Sequence, residues 1–108
     1  MEYPNIFADN RGVWCSDQSE NIAGIRWDEV YRISGYKLDT IDQVDTIIEL
    51  DFEYGEFVEL NSEFPGFLAA VEQFSRYISH LPMDWFLRIQ QLDKEDEPVV
   101  VWQRELNR

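Results

Sequence analysis

The chain is short of the residues that cross-link or metallate small proteins. Among 108 residues there is one cysteine, Cys15, and one histidine, His80. One thiol excludes an internal disulfide framework, and one thiol with one imidazole is too few for a Cys/His zinc site. No long apolar run is present, so no segment reads as a membrane-spanning helix. The stretch Met1 to Asn10 is polar and carries Glu2 and Asp9, which is unlike a signal peptide. Gly-x-Ser-x-Gly, His-Glu-x-x-His and phosphate-cradling glycine loops are all missing. Basic residues are scarce too: nine against twenty-two acids, for a net charge of −13. Direct binding of nucleic acid or an anionic membrane needs a positive footprint, so both are excluded. Hydrophobic residues at 44% and aromatics at 15% are too abundant for a disordered chain. The expectation is one acidic, soluble, cytoplasmic domain spanning 1–108.

The charge is unevenly placed. Residues 1–37 hold six acids and four bases, and residues 76–108 hold six acids and five bases. The segment 38–75 holds ten acids and no Lys or Arg. Self-repulsion there is unrelieved, a more specific feature than a uniformly acidic surface.

Hydrophobic pattern gives the elements. Arg11 to Ser16 reads as a strand with Val13 and Cys15 on one face and Trp14 on the other. A polar loop over Asp17 to Asn21 leads to a second strand, Ile22 to Arg26. Trp27 to Val30 reads as a turn into a third strand, Tyr31 to Leu38, with Gly35 marking a bulge. After a polar connection, Asp39 to Gln43, comes a hairpin of 44–52 and 56–60. Val44, Ile48, Leu50 and Phe52 alternate with Asp45, Glu49 and Asp51. A three-residue loop, Glu53-Tyr54-Gly55, pairs Leu50 with Val58 and Ile48 with Leu60, and puts Gly55 where a left-handed residue is wanted. The solvated face then sets Glu49 against Glu59, flanked by Asp51, with Asp45 near Glu63. Like charges opposite one another destabilise a strand pair, so this face is not tuned for stability alone.

Phe67, Val71, Phe74 and Ile78 form one helical stripe over about Pro65 to Ser79, capped by Asn61 or Ser62. Met83 to Leu92 reads as a second short helix, Asp93 to Pro98 as a charged loop and Val99 to Glu105 as a closing strand. The fold class is α+β: a mostly antiparallel sheet of about six strands packed by one long helix, with an extra C-terminal strand. That last strand is an edge open to pairing, so the chain is expected to be a monomer or weak dimer.

Catalytic chemistry finds little support. Cys15 lies in an apolar strand and reads as structural. His80 falls at the helix C-terminus, where a cation complements the dipole. Asp39, Asp42 and Asp45 are the best calcium candidates, yet their spacing differs from the alternating ligands of an EF-hand loop, and Asp93 to Glu97 lacks the central glycine. No catalytic residue, metal or cofactor is assigned. Trp14, Trp27 and Trp102 read as core or half-core, and Trp85 as partly exposed. Tyr54, at the hairpin tip among carboxylates, is a candidate interface anchor.

Two stretches resemble a known family. Ile25-Arg26-Trp27-Asp28-Glu29-Val30, followed by a strand, resembles the "I-x-W-x-D/E-I" opening of small bacterial domains of the pleckstrin-homology-like type. Val58-Glu59-Leu60-Asn61-Ser62-Glu63-Phe64-Pro65-Gly66-Phe67 resembles their "I-E-V-N-E-x-x-P-G-F" passage. The similarity covers about 25–80 and implies a pleckstrin-homology-like fold. Many such domains resemble, in size and acidity, immunity proteins that neutralise toxins of interbacterial competition. Lipid-head-group binding does not carry over, because the strand loops here lack basic residues. A strand after the helix also departs from a fold that ends on its helix. The functional expectation is a non-enzymatic, immunity-type inhibitor of a cationic bacterial toxin, most naturally a nuclease. Its partner-binding residues would be Asp45, Glu49, Asp51, Glu53, Tyr54, Phe57 and Glu59. The alternative is a regulatory or structural interaction module.

Overall fold

The computed structural model of the chain describes residues 3–17, 19 and 21–105. Seven strands and two helices are formed by these residues: β1 (Asn5–Ala8), β2 (Gly12–Ser16), β3 (Ile22–Arg26), β4 (Arg32–Asp39), β5 (Val44–Asp51), β6 (Phe57–Asn61), α1 (Phe67–Tyr77), α2 (Trp85–Gln90) and β7 (Val99–Gln103). A single 3₁₀ turn, Trp27–Glu29, joins β3 towards β4. The architecture is α+β, and the strand after the helices is present. The expected single sheet is two antiparallel sheets, ordered β1-β2-β3 and β6-β5-β4-β7. The strand missed in the sequence is β1. It has four residues and no clear alternation, and it is fixed by distant partners. Ile6 is buried, and its N–H donates to the Pro65 carbonyl at 2.8 Å, just ahead of α1. Of the loop over 17–21, Gln18 and Glu20 lie outside the described residues, as do Met1 and Glu2 at the N-terminus.

Asp9 organises the β1–β2 turn. Its carboxylate accepts from the N–H groups of Arg11 and Gly12 and from Trp14 Nε1, at 2.9, 3.1 and 3.1 Å. The bond from Trp14, with those from the backbone, holds the Asp9 carboxyl down to about 2. The Asp9 carbonyl in turn accepts from Trp27 Nε1 at 2.8 Å, tying the first sheet to the 3₁₀ turn.

The β5–β6 hairpin has the expected register, with Ile48 opposite Leu60, Glu49 opposite Glu59 and Leu50 opposite Val58. Phe52 N–H donates to the Glu56 carbonyl at 2.8 Å, leaving Glu53, Tyr54 and Gly55 as the loop. Gly55 has φ +102°, the left-handed conformation that glycine adopts without strain.

All four residues of the α1 stripe are buried. Its start differs from expectation. Gly66 is the residue before the helix, with φ +87°, and a Cβ there would lie 2.0 Å from the Ile6 carbonyl oxygen. Asn61 and Ser62 do not cap α1. Asn61 Oδ1 accepts from Glu63 N–H at 2.8 Å and Ser62 Oγ from Thr46 N–H at 2.9 Å, so both lock the hairpin base instead. At the other end the helix closes with Ile78 N–H on the Phe74 carbonyl at 2.8 Å. His80 lies beyond it, exposed and at φ +64°, rather than at the dipole end.

Trp85 is buried, at 3% exposure, against the expectation of a surface position. It stacks on Phe74 at 4.9 Å, Phe74 meets Trp27 edge-on at 5.3 Å, and Trp27 stacks on Tyr77 at 5.3 Å. These aromatics join the 3₁₀ turn, α1 and α2 into one core with Ile33, Ile48, Leu50 and Leu60 of the four-stranded sheet. Gly35 is not the bulge. The β4–β7 register shifts between Ile33 and Ser34, whereas Gly35 makes room for α2: a Cβ there would lie 2.5 Å from Ile89 Cδ1.

Candidate functional site

One face of the four-stranded sheet is packed by the core, and the other collects the acids. Alternation places Arg32, Ser34 and Tyr36 of β4 on that second face. Asp45, Ile47, Glu49 and Asp51 of β5 join them, with Phe57, Glu59 and Asn61 of β6. Arg32 is the one base among them.

The face is less solvated than the alternation implies. Asp45 is 6% exposed and Asp51 is 5% exposed. Arg32 reaches Asp51 across the β4–β5 pair, while Asp45 is met by Asn61 of β6 and by Gln43, two residues before it. Asp45 accepts from Asn61 Nδ2 at 3.1 Å and Gln43 Nε2 at 2.8 Å, so it is consumed in holding the end of the hairpin. Asp51 accepts from Arg32 Nε at 2.8 Å. Its other oxygen, Oδ1, is the one buried side-chain oxygen or nitrogen among the described residues without a hydrogen-bond partner.

Glu49 and Glu59 complete the cluster. Burial, with the Asp51 carboxyl beside it, pushes Glu49 up to about 7. Glu59 adds repulsion, and Arg32 offsets only part of it. A proton on Glu49 near neutral pH can be donated to Asp51, which is how two adjacent carboxyls coexist at low cost. Tyr36 donates its hydroxyl to Glu59 Oε2. Burial first, and that hydrogen bond second, raise the tyrosine above its ordinary range.

Of the seven residues expected to bind a partner, Glu49, Asp51, Phe57 and Glu59 are brought together, with Asp45 at the far end of the same face. Phe57 pairs with Asp51 and is 55% exposed. Glu53 and Tyr54 sit apart at the hairpin tip. Tyr54 stacks on Phe52 at 5.1 Å and lines a shallow cleft with Asp28, Glu29, Tyr31 and Arg104. Phe52 points to the core side, so Tyr54 leans away from Glu49 and Glu59. Sequence reasoning missed Arg32 and Tyr36. The signal was present in the alternation of Arg32, Ser34 and Tyr36 along β4, but which acids they face depends on the β4–β5 register.

The other candidate chemistries are not assembled. Cys15 is half-buried, and burial with Asp17 nearby raises its thiol, the wrong direction for a nucleophile. Asp39 meets Lys94 at 3.4 Å while Asp45 is held by Asn61 and Gln43. Among the described residues no three His, Cys, Asp or Glu side chains are placed to hold a metal ion. No helix among them is long and apolar enough to cross a membrane. No protein-family model, curated protein or solved structure matches the chain.

Proposed function

We propose that the chain is an immunity-type protein that binds and neutralises a cationic bacterial toxin, most naturally a nuclease, in the cytoplasm. The mechanism is occlusion without chemistry. A nuclease cleft is basic because it holds phosphates, and an acidic sheet face covers such a cleft while its field speeds association.

The observation that supports this reading is the concentration of carboxylates on one sheet face. Glu49, Asp51 and Glu59 are contiguous there, with Arg32 the single base among the described residues of β4, β5 and β6 on that face and the exposed ring of Phe57 at the rim. A face serving only stability has no use for Glu49 directly opposite Glu59. Capture from a lysate of the native cell, at low and high salt, tests the proposal. Retention of one basic protein with a toxin-like or nuclease-like domain, released by salt, is the expected result. Retention of only a housekeeping assembly would replace it with the reading of a regulatory or structural interaction module.

A further inference from the structure

Bases are scarce in this chain, yet three of the nine line one groove. None of the seven residues expected to meet a toxin lines it. Three adjoining clefts make up the groove. The first shares Trp27 and Asp28 with the second, and the second shares Trp102 and Arg104 with the third. Its lining sets three guanidiniums against two carboxylates, in a chain with twenty-two acids to nine bases. Of the two carboxylates, Asp28 is taken up by Arg26 at 2.8 Å, and Glu105 lies in the third cleft. In the first cleft and in the third, a guanidinium is laid over a tryptophan. Arg11 lies 5.7 Å from the Trp14 ring centre, and Arg104 lies 5.8 Å from that of Trp102. Arg104 is fixed further. Its Nε donates to the Val30 carbonyl at 3.0 Å and its Nη2 to the Trp27 carbonyl at 3.3 Å. A guanidinium carries more donors than these two, and no carboxylate among the described residues pairs with it. Arg11 reaches one oxygen of Asp9 at 3.5 Å, and its side chain is 73% exposed.

We propose that this groove docks an acidic segment of a partner protein, with carboxylates on Arg104 and Arg11 and apolar atoms over the Trp27–Tyr77 stack. A guanidinium stacked on an indole is held in one plane, and its open edge matches a carboxylate in bidentate form. Holding Arg104 in place before binding lowers the ordering cost that a free side chain would bring. Trp, Tyr and Arg are also the residue types that dominate binding hot spots. A single strand of nucleic acid seeks arginines and aromatics too, but it needs ring faces open to its bases. Here Arg11 and Arg104 lie over Trp14 and Trp102, and Trp27 is 6% exposed. A phosphate strand would also add a charge at every nucleotide in the field of a −13 chain, where a peptide adds only its few carboxylates. This surface is separate from the acidic sheet face and of opposite character. The toxin reading does not depend on it, nor it on the toxin reading.

The test is a titration of the full chain with acetyl-(Asp-Leu)₃-amide, with its asparagine counterpart and with a short oligodeoxythymidylate. The four indole N–H signals, followed by nitrogen-15 NMR, are the readout. The aspartate peptide should move the signals of Trp14 and Trp102. Trp85, stacked on Phe74 and 3% exposed, should stay still and serves as the internal reference. Arg104→Gln and Arg11→Gln should each weaken binding about tenfold, the worth of a charge-assisted hydrogen bond. Lys94→Gln makes the same change in net charge at a site outside the groove, and it should leave binding as it was. If Arg104→Gln does not fold, Arg11→Gln carries the test, because Arg11 is exposed and Asp9 holds its turn through main-chain N–H groups. The inference is overturned if Trp14 and Trp102 do not respond, if the asparagine peptide binds equally, or if Arg11→Gln binds as the native chain does. Tighter binding of the oligodeoxythymidylate would replace the acidic segment with a nucleic acid. Indole shifts that appear on concentrating the chain alone would replace it with a second copy.

Discussion

Arg32 is the side chain on which the polar face depends. Its Nε bonds Asp51 at 2.8 Å, and the Asp51 side chain is only 8% exposed. Removing the guanidinium leaves a buried carboxylate without its cation. Breaking a fully buried pair costs about 3–5 kcal/mol, but Arg32 is 42% exposed and water partly replaces it. Arg32→Ala is therefore expected to lose about 2 kcal/mol at pH 7 in urea unfolding, well above the ~1 kcal/mol of a surface pair. Glu49 gives a prediction with a sign. Its folded-state carboxyl titrates at about 7, above the ordinary value of 4.5, so between these values the folded chain binds more protons than the unfolded one. Stability from this group is therefore greatest below pH 4.5, falls up to pH 7 and is flat above. Glutamine mimics the protonated form and can still donate to Asp51. The stability difference between Glu49→Gln and the native chain should open in favour of the variant from pH 5 to 7 and stay constant to pH 9. A difference that is constant across the whole range would remove the proton from Glu49. None of this was legible from residues 44–60 alone. Alternation assigns Asp51 to the polar face, but the cation it bonds, Arg32, lies nineteen positions earlier in the chain.

The elements divide by how local their causes are. The β5–β6 hairpin was readable to the register because alternation and one left-handed glycine decide it within seventeen residues, 44–60. The α1 stripe was readable for the same reason. By contrast β1 is too short to carry a period, and the two-sheet division depends on contacts between distant segments. The placement of α2 was also hidden. Trp85 and Phe86 follow Pro82 in a stretch that looks like surface, yet α2 lies on β4 because Gly35 offers no side chain beneath it. That contact makes a prediction about packing. In Gly35→Ala the new methyl meets three Ile89 carbons at 2.5–2.6 Å, so α2 must move or Ile89 must leave its rotamer. Overpacking of this kind costs about 1–3 kcal/mol. Ile89→Val removes one of the offending carbons, and the double variant should recover part of the loss. Thermal unfolding of the native chain, both single variants and the double variant measures that coupling. Strict additivity would show that α2 is not seated on Gly35.

Across the molecule, where the charge lies matters more than its total. A net charge of −13 keeps any small domain apart from its copies, and any distribution of the acids would serve that end. Setting Glu49 opposite Glu59 is a choice that costs stability, by a few tenths to about 1 kcal/mol for a directly opposed pair. A matched pair of substitutions separates the two roles. Glu59→Gln removes one charge from the face and keeps an acceptor for the Tyr36 hydroxyl. Glu95→Gln removes one charge from the exposed loop between α2 and β7. Net charge changes equally in both. Glu59→Gln should raise stability by a few tenths to about 1 kcal/mol while weakening capture of the basic partner at low salt. Glu95→Gln should do neither. Stability gained at the expense of binding is the pattern of a residue kept for its function. If both variants weaken capture alike, the partner responds to total charge and the sheet face is not its docking surface. If Glu59→Gln stabilises the chain and leaves capture intact, the acids opposite one another serve some end other than this partner.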